Sequence, residues 1–421
     1  MAKAAGHYDV IVIGGGPSGI MAAGTAAENG ARVLLLEKNA TLGRKISITG
    51  KGRCNVTQAE FDLRALVADY GLQGRFLYSA IHRFGPEDVI NFFTSLGVPM
   101  KFERGGRVFP ESDRAEDIIH ALRLFLSRNN VEVLTETPVK GLITRDQKAV
   151  GVRLVDGTEL FADSVIVATG GLSYPSTGST GDGFRFANIT KHVIVTTMPA
   201  LVPLTIAESW VKDLQGLSLK NVNLSLWLNG KKISDRFGEM LFTHFGITGP
   251  IVLDISKEVL ATIPMGVTEL RLNLKPALNL KQLDERLIRD FKEHGNKIFK
   301  NSLGELLPAK MISLVVYMSG INPDKPANSI TKEERQRLVQ LLSSLVMTPN
   351  GSMGYDLAIV TSGGVSTAEI DPRTMQSKKM ANLYFVGEVL DVDGPTGGYN
   401  LQAAWSTGRL AGDSASKQYV K

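Results

Sequence analysis

The sequence predicts an α/β fold in which one domain is assembled from both ends of the chain around an insert. Three observations predict it. The first forty residues read as strand, glycine turn, helix and strand, with Gly14-Gly15-Gly16-Pro17-Ser18-Gly19 at the turn. From about Pro199 the texture changes to alternating strands and amphipathic helices. Buried-strand texture returns at Tyr355 to Thr361, ahead of a second glycine-rich turn, GEVLDVDGPTGGYNLQ, at Gly387 to Gln402. The expected boundaries are 1–197 and 351–421 for the host domain, 198–276 for a β-barrel-like insert and 277–350 for a helical insert.

The elements follow from periodicity. Tyr8 to Ile13 (YDVIVI) and Arg32 to Glu37 (RVLLLE) are short continuous apolar runs, as strands buried on both faces require. Pro17 to Asn29 between them places Ile20, Ala23, Gly24 and Ala27 on one helical face, and Gly30 closes it. Helices are expected at Pro86 to Leu96 and Arg114 to Arg128. Strands are expected at Val131 to Leu134, Val139 to Thr144, Ala149 to Leu154 and Ser164 to Ala168, with Asp156-Gly157 as a hairpin turn. In the insert, Val222 to Leu228 and Glu269 to Leu274 alternate, and Asn229-Gly230 is a strong hairpin turn. Asn279 to Phe299, Leu303 to Tyr317 and Thr331 to Met347 read as amphipathic helices, the last opening on a capping-box spelling.

Composition bounds the function. A length of 421 residues favours two to three domains, and 43% hydrophobic with 21% charged residues is ordinary for a globular enzyme. The single cysteine, Cys54, excludes an intramolecular disulfide or a CxxC redox pair and fits a reducing compartment. No secretory signal and no apolar run of roughly 18 residues occurs, so a cytoplasmic protein with no membrane contact is expected. A net charge of +5 is compatible with a phosphate-bearing ligand or RNA and decides nothing alone. No Cys/His/Asp spacing supports a metal site.

The first glycine turn satisfies G-x-G-x-x-G in its proper context, between a strand and a helix. Gly14 permits the tight turn, Gly16 lets backbone approach a pyrophosphate, and Gly19 packs helix on strand; the helix N-terminus then faces the phosphates. Glu37 ends the next strand 18 residues past Gly19, where a carboxylate can accept hydrogen bonds from a ribose. This turn alone leaves FAD and NAD open. The segment GRKISITGKGRCN, Gly43 to Asn55, follows, and its position after the ribose acid favours an anion-lining loop over a solvated basic one. Cys54 reads as a packed small side chain rather than a nucleophile. His244 lies in a glycine-bounded stretch of the insert. It is the candidate proton donor or acceptor, against the commoner alternative of a hydrogen-bonded structural histidine.

Three further segments complete a pattern: ATGGLSYPSTGSTGDG at Ala168 to Gly183, GEMLFTHFGITGP at Gly238 to Pro250, and VTSGGV at Val360 to Val365. With GGGPSG and GRKISITGKGRCN, in this order along essentially the whole chain, the sequence resembles the BaiN/RdsA-type family of NAD(P)/FAD-dependent oxidoreductases, also described as aminoacetone oxidase-like FAD-binding flavoproteins. The resemblance implies a glutathione-reductase-type Rossmann FAD-binding domain carrying a β-barrel-like and a helical insert. It places Gly14, Gly16, Ser18 and Gly19 at the pyrophosphate of FAD and Glu37 at the adenosine ribose, with Pro17 and Lys38 also among the cofactor-binding residues. Arg44, Lys45 and the turn Gly52, Arg53, Cys54 and Asn55 fall on the flavin side. Val139 is to meet the adenine through its backbone from the strand before the Asp-Gly hairpin, with Thr169 and Gly170 beside the dinucleotide. Glu388 is assigned to the ribityl chain or a phosphate-linked ribose, with Gly387 beside it among the cofactor-binding residues. Gly398, Asn400 and Leu401 open a helix whose N-terminus is to face the flavin N1/C2 edge.

No second G-x-G-x-x-G follows a strand, so NAD(P)H, if it is the electron donor, docks transiently. The expected function is FAD-dependent transfer of hydride between flavin N5 and a small-molecule substrate or NAD(P)H. Two alternatives stay open: an RNA-modifying flavoenzyme that reduces a uridine, and a non-catalytic FAD-bound sensor or scaffold. The sequence does not fix the substrate or the oligomeric state.

Overall fold

Apolar runs too short for helices become the strands of a central sheet. The computed structural model of the chain describes residues 6–419. Strand β1 (Tyr8–Ile13), α1 (Pro17–Glu28) and β2 (Val33–Leu36) make the first unit of the fold. An excursion follows through α2 (Arg44–Ile48), β3 (Thr57–Gln58), α3 (Leu63–Ala68), α4 (Gly74–Arg83), α5 (Pro86–Ser95), β4 (Met100–Glu103) and β5 (Arg107–Pro110). Then come α6 (Ala115–Arg128), β6 (Glu132–Leu134), β7 (Val139–Arg145), β8 (Lys148–Leu154), β9 (Glu159–Val167), α7 (Asp182–Ile189) and β10 (Ile194–Ala200).

The next stretch contains β11 (Leu204–Ile206), β12 (Ser218–Leu228), β13 (Lys231–Phe242), β14 (Gly246–Thr248), α8 (Pro250–Thr262), β15 (Thr268–Asn273) and α9 (Leu280–Glu293). It continues through α10 (Phe299–Ser302), α11 (Ala309–Ser319), α12 (Lys332–Ser343), β16 (Leu345–Met347) and β17 (Pro349–Ser352). The chain ends with β18 (Val360–Val365), β19 (Leu383–Phe385) and α13 (Tyr399–Ala415). Residues up to Ala200 and from Ala358 onward form one unit; Leu201 to Leu357 form the other.

In the first unit the main sheet runs β6-β2-β1-β9-β8-β7, with β19 also on β9. The β6, β2, β1, β9 and β19 neighbours are parallel, whereas β7, β8 and the start of β9 form an antiparallel meander. Val10, Ile11, Val12, Leu34, Leu35, Val165 and Ile166 are fully buried in it. Each such side chain contributes roughly 1.5–3 kcal/mol of burial. Helices α1 and α13 cross at small residues: a Cβ on Gly412 would lie 2.6 Å from Ala22 O, and one on Gly408 would strike Ser18 O. The first and last helices therefore touch backbone to backbone. Strand β10 pairs with β18 antiparallel, and β3, β4 and β5 form a small sheet of their own.

The second unit has one seven-stranded sheet in the order β16-β15-β12-β13-β14-β11-β17, antiparallel throughout. Asn229 and Gly230 turn β12 into β13, both with positive φ (51° and 77°), as a two-residue hairpin demands. Leu224 and Leu270 of the strands and Leu287, Val315 and Leu338 of the helices belong to one core.

Several element limits differ from the sequence reading. The helix expected at 279–299 ends at Glu293, before His294-Gly295, and Phe299 starts a separate short helix. The helix expected from Leu303 begins after Pro308, whose ring cannot continue a preceding helix. Residues 345–347 pair with β15 instead of extending α12, because tertiary strand pairing overrides a weak helical periodicity. The strand expected at 355–361 is displaced to Val360–Val365, and β9 starts at Glu159 rather than Ser164. Asp156-Gly157 joins β8 to β9, so Val139, on β7, lies one strand further from that hairpin than expected. No helix among the described residues is long and apolar enough to cross a membrane.

Candidate functional site

The parallel strands all deliver their loops to one edge of the sheet, where ligands of open α/β folds bind. Gly14 leaves β1 with φ +106°, and a Cβ there would lie 2.5 Å from Ala168 O at the end of β9. A Cβ on Gly19 would run into Gly14 O. Gly16, in contrast, faces open space: nothing lies within 4 Å of where its Cβ would be. Gly16 is also the N-cap of α1, which has Pro17 in its first turn, no side-chain cap and no acid there. The helix end thus presents free N–H groups and partial positive charge beside the open space at Gly16. Ser18 is buried, and a Cβ on Gly387 would strike its Oγ, so the turn after β19 closes directly on the first turn.

Glu37 is buried, and both its oxygens accept hydrogen bonds. Gly15 N donates to Oε2 at 2.7 Å; Asn39 N and Nδ2 donate to Oε1 at 2.7 and 2.6 Å. Asn39 also donates to Thr177 O (3.2 Å) and accepts from Arg44 Nη1 (2.9 Å). Lys38 pairs with Asp182 at 2.7 Å and donates to Thr180 Oγ1 at 2.5 Å. Burial opposes ionisation of Asp182, but Lys38, Arg185 and Thr180 outweigh it and hold the carboxyl below its ordinary range. The segment leading to Val139 runs alongside: Thr137 N donates to Glu37 O and Glu136 N to Asn39 O.

Lys45, Ser173, Thr361 and Glu388 form a polar knot. Lys45 Nζ lies 2.5 Å from both Ser173 Oγ and Glu388 Oε2, and Ser173 Oγ donates to Glu388 Oε1. Thr361 N also donates to Glu388 Oε1 (2.8 Å), while Thr361 Oγ1 accepts from Leu172 N and Ser173 N. This knot ties together the basic loop, the loop after β9, the start of β18 and the turn after β19. A Cβ on Gly171 would strike Thr361 Oγ1, so the loop after β9 passes too close for any side chain there. Thr169 Oγ1, in the same loop, is buried without a hydrogen-bond partner. It is a group a ligand can satisfy.

The rest of the basic loop is spent on the protein itself. Arg53 pairs with Glu103 (2.8 Å) and Asp113 (3.2 Å) and lies 4.0 Å over the Phe109 ring. The hydrogen bond from Arg53 holds Glu103 below the usual carboxylate range, and Lys101 does so for Asp113. Cys54 has φ +62° and is fully buried, and burial pushes its thiol up to about 12. Asn55 Oδ1 accepts from Val108 N. Gly52 and these three residues therefore offer a ligand backbone rather than side chains.

At the far end, Gly398 (φ +105°) begins α13 with its backbone against Thr57, again with no side-chain cap and no acid in the first turn. Asn400 folds the preceding loop onto itself, accepting from Gly394 N and donating to Gly394 O and Pro395 O. Tyr70 OH donates to Tyr399 O at 2.7 Å, and Tyr399 OH to Asp69 at 2.5 Å. Leu401 is half-buried, and Trp405 is fully buried with Nε1 on Val56 O. His244 belongs to the second unit, between β13 and β14; it is exposed, edge-on to Phe245 and makes no hydrogen bond among the described residues.

Sequence reasoning missed Asn39, Ser173, Asp182 and Thr361. Ser173 and Asp182 sit in a glycine-bounded segment after β9, and Thr361 opens the glycine-containing β18, a signal available in the sequence. Asn39 announced itself only by following Glu37.

A separate cavity of about 770 Å³ opens between α2, α6 and residues 174–177. Arg44, Ser47, His120, Arg123, Tyr174 and Thr177 supply its polar wall. None of the glycine-turn residues, Glu37 or Glu388 lines it.

The chain matches the family described as HI0933-like protein Rossmann domain over residues 8–414. It is 32% identical over 410 residues to the 3-dehydro-bile acid delta(4,6)-reductase of Clostridium scindens, covering 97% of this chain and 98% of that protein. It is 33% identical over 417 residues to the ribosomal RNA dihydrouridine synthase of Haemophilus influenzae, covering 98% and 99%. The solved 3-ketosteroid-delta4-(5alpha)-dehydrogenase of Rhodococcus jostii has the same fold, with a TM-score of 0.54 at 16% identity over 98% of this chain and 97% of that one. The uncapped α1, the cradle at Gly16 and the orphaned Thr169 hydroxyl fit a bound dinucleotide. The chain belongs to the HI0933-like family: it is an FAD-dependent oxidoreductase of the BaiN/RdsA type, built on a Rossmann-type FAD-binding fold.

Proposed function

We propose that this flavoenzyme reduces a carbon–carbon double bond conjugated to a carbonyl in a small molecule, with NAD(P)H as the source of electrons. The observation that carries the reading is the Lys45–Ser173–Thr361–Glu388 knot, which draws the glycine-rich segments of both chain ends to one sheet edge. The names of two relatives support the substrate class. A 3-dehydro Δ4,6 steroid and the 5,6-bond of uridine are both alkenes in conjugation with a carbonyl.

FAD, when bound, supplies hydride at N5. The protein's part is binding, orientation and proton delivery. The Gly14–Gly19 turn, with Pro17 and Ser18, and the free N–H groups of α1 hold the pyrophosphate. Glu37 retains one lone pair, on Oε2, for a ribose hydroxyl beside its three donors, and Lys38 anchors the loop that flanks it. Val139 backbone serves the adenine, and Thr169 and Gly170 the dinucleotide between. Lys45, Gly387 and Glu388 bind toward the flavin, with backbone from Gly52 to Asn55, whereas Arg44 donates to Asn39 and lines the neighbouring cavity. The N-terminus of α13, at Gly398, Asn400 and Leu401, favours negative charge on the ring edge it faces. His244, in the unit of residues 201–357, is the candidate source of the proton that balances the hydride.

The test is anaerobic mixing with NADH and NADPH while flavin absorbance is followed, then addition of a conjugated enone. Bleaching by either nucleotide and recovery with the enone are expected; a flavin that neither nucleotide bleaches overturns the donor reading. A second reading, reduction of a uridine in RNA, is favoured by the identity to the Haemophilus synthase and the net charge of +5. Flavin reoxidation by ribosomal RNA that falls steeply with salt, with no response to enones, would establish it instead.

A further inference from the structure

We propose that the cavity between α2, α6 and residues 174–177 is a docking site for a phosphate-bearing nucleotide, distinct from the FAD cleft, and that it receives the adenylate half of the electron donor. This rests on the reading that NAD(P)H is that donor.

The cavity's charge is the first reason. Helix α6 buries Ile118, Leu122, Phe125 and Leu126 in the core and turns Glu116, Ile119, His120 and Arg123 into the cavity, at the i, i+3, i+4, i+7 spacing of one helical face. Arg44 enters from α2 on the other side. Neither Arg44 nor Arg123 makes an ion pair among the described residues, and Arg44 donates to Asn39 Oδ1. Glu116 is the only acid on the wall, and it pairs with neither guanidinium. Unneutralised guanidiniums facing one cavity suit a phosphate, which they bind through charge-assisted, often bidentate hydrogen bonds.

Shape is the second reason. About 770 Å³ falls within the range of small-molecule sites. Ile48 is 43% exposed on its wall and, with Leu42 and Ile119, gives a flat base an apolar surface to cover. Hydroxyls of Tyr174 and Ser176 line it for a ribose, and those of Ser47 and Thr177, which donate to backbone carbonyls, can still accept. The cavity is linked to the cofactor side: Arg44 donates to Asn39, which donates to Glu37.

The experiment uses FAD-loaded protein and ADP-ribose, which carries the phosphates and adenine without the nicotinamide. Arg123→Gln removes a guanidinium that holds nothing in the fold. Calorimetric binding of ADP-ribose to the parent, weakened about tenfold or more in Arg123→Gln with flavin content unchanged, supports the site. A matching rise in KM for NAD(P)H with kcat unchanged supports the donor assignment. Equal affinity in parent and variant, or no binding to either, overturns the proposal. Release of FAD by ADP-ribose also overturns it, because the cavity would then be part of the cofactor's own cleft. A parent that binds ADP-ribose through Arg123 but is reduced by neither NADH nor NADPH keeps the nucleotide site and removes the donor reading alone.

Discussion

Lys45 and Glu388 meet at 2.5 Å across 343 residues of sequence, with both side chains about one-fifth exposed. The pair joins the basic loop near the N-terminus to the turn after β19. Glu388 also receives Ser173 Oγ and Thr361 N, so it is the one acceptor on which three other segments converge.

Glu388→Ala is therefore expected to release FAD more than it unfolds the protein. The FAD dissociation constant should rise about tenfold or more, since the change removes a charge-assisted acceptor and leaves Lys45 unpaired. Flavin fluorescence on dilution, set beside the urea midpoint of the apoprotein, checks this. Unchanged FAD retention would show that the knot is purely structural. A double-mutant cycle with Lys45→Met should return a coupling of about 0.5–3 kcal/mol.

Gly19→Ala should cost both stability and cofactor. The new methyl would collide with Gly14 O, a backbone atom that cannot rotate away. Overpacking of this kind costs about 1–3 kcal/mol. The urea midpoint and the ratio of visible flavin absorbance to protein absorbance should fall together.

His192 should make the first unit sensitive to mild acid. Its ring is buried between Thr190 Oγ1 (2.9 Å) and Ser377 Oγ (2.7 Å), and burial lowers its pKa from 6.5; Glu369 opposes the shift and Lys379 assists it. A depressed histidine pKa means the unfolded chain takes up the proton first. The contribution is thus complete above about pH 6.5 and declines as pH falls toward the folded pKa. Urea midpoints at pH 7.5 and 5.5 should differ in that direction, and His192→Gln should flatten the difference.

Cys54 should be inert in the folded protein. Burial holds its thiol as the neutral form, with a pKa near 12. A thiol reagent at pH 8 should label it only in denaturant; rapid labelling of the native protein would contradict its burial.

Much of this was legible in the residues, and the reasons for success and failure are physical. The βαβ start was readable because β1 and β2 are covered on both faces and so carry unbroken apolar runs. The Asn229-Gly230 hairpin was readable because its φ values demand those residue types. Helix limits after 279 were less so, since Gly295 and Pro308 act locally while periodicity continues past them. Residues 345–347 failed because their partner strand, β15, is remote in sequence. In the candidate site, glycines and acids were visible because a backbone approach or a ribose needs them. The engagement of Arg53 by Glu103 and Asp113 was not, because ion-pair partners 50 and 60 residues away leave no mark on a charged loop.

The pairing of first and last elements also dictates an order of assembly during synthesis. Strand β9 awaits β19, β10 awaits β18, and α1 awaits α13, so the host unit stays incomplete until residues 360–415 have been made. The unit from Leu201 to Leu357 has its own core and emerges earlier, free to fold while its host is still open. Cofactor capture at the paired glycine turns is consequently a late event, and a chain interrupted between residues 357 and 388 leaves a complete insert on a scaffold that cannot close.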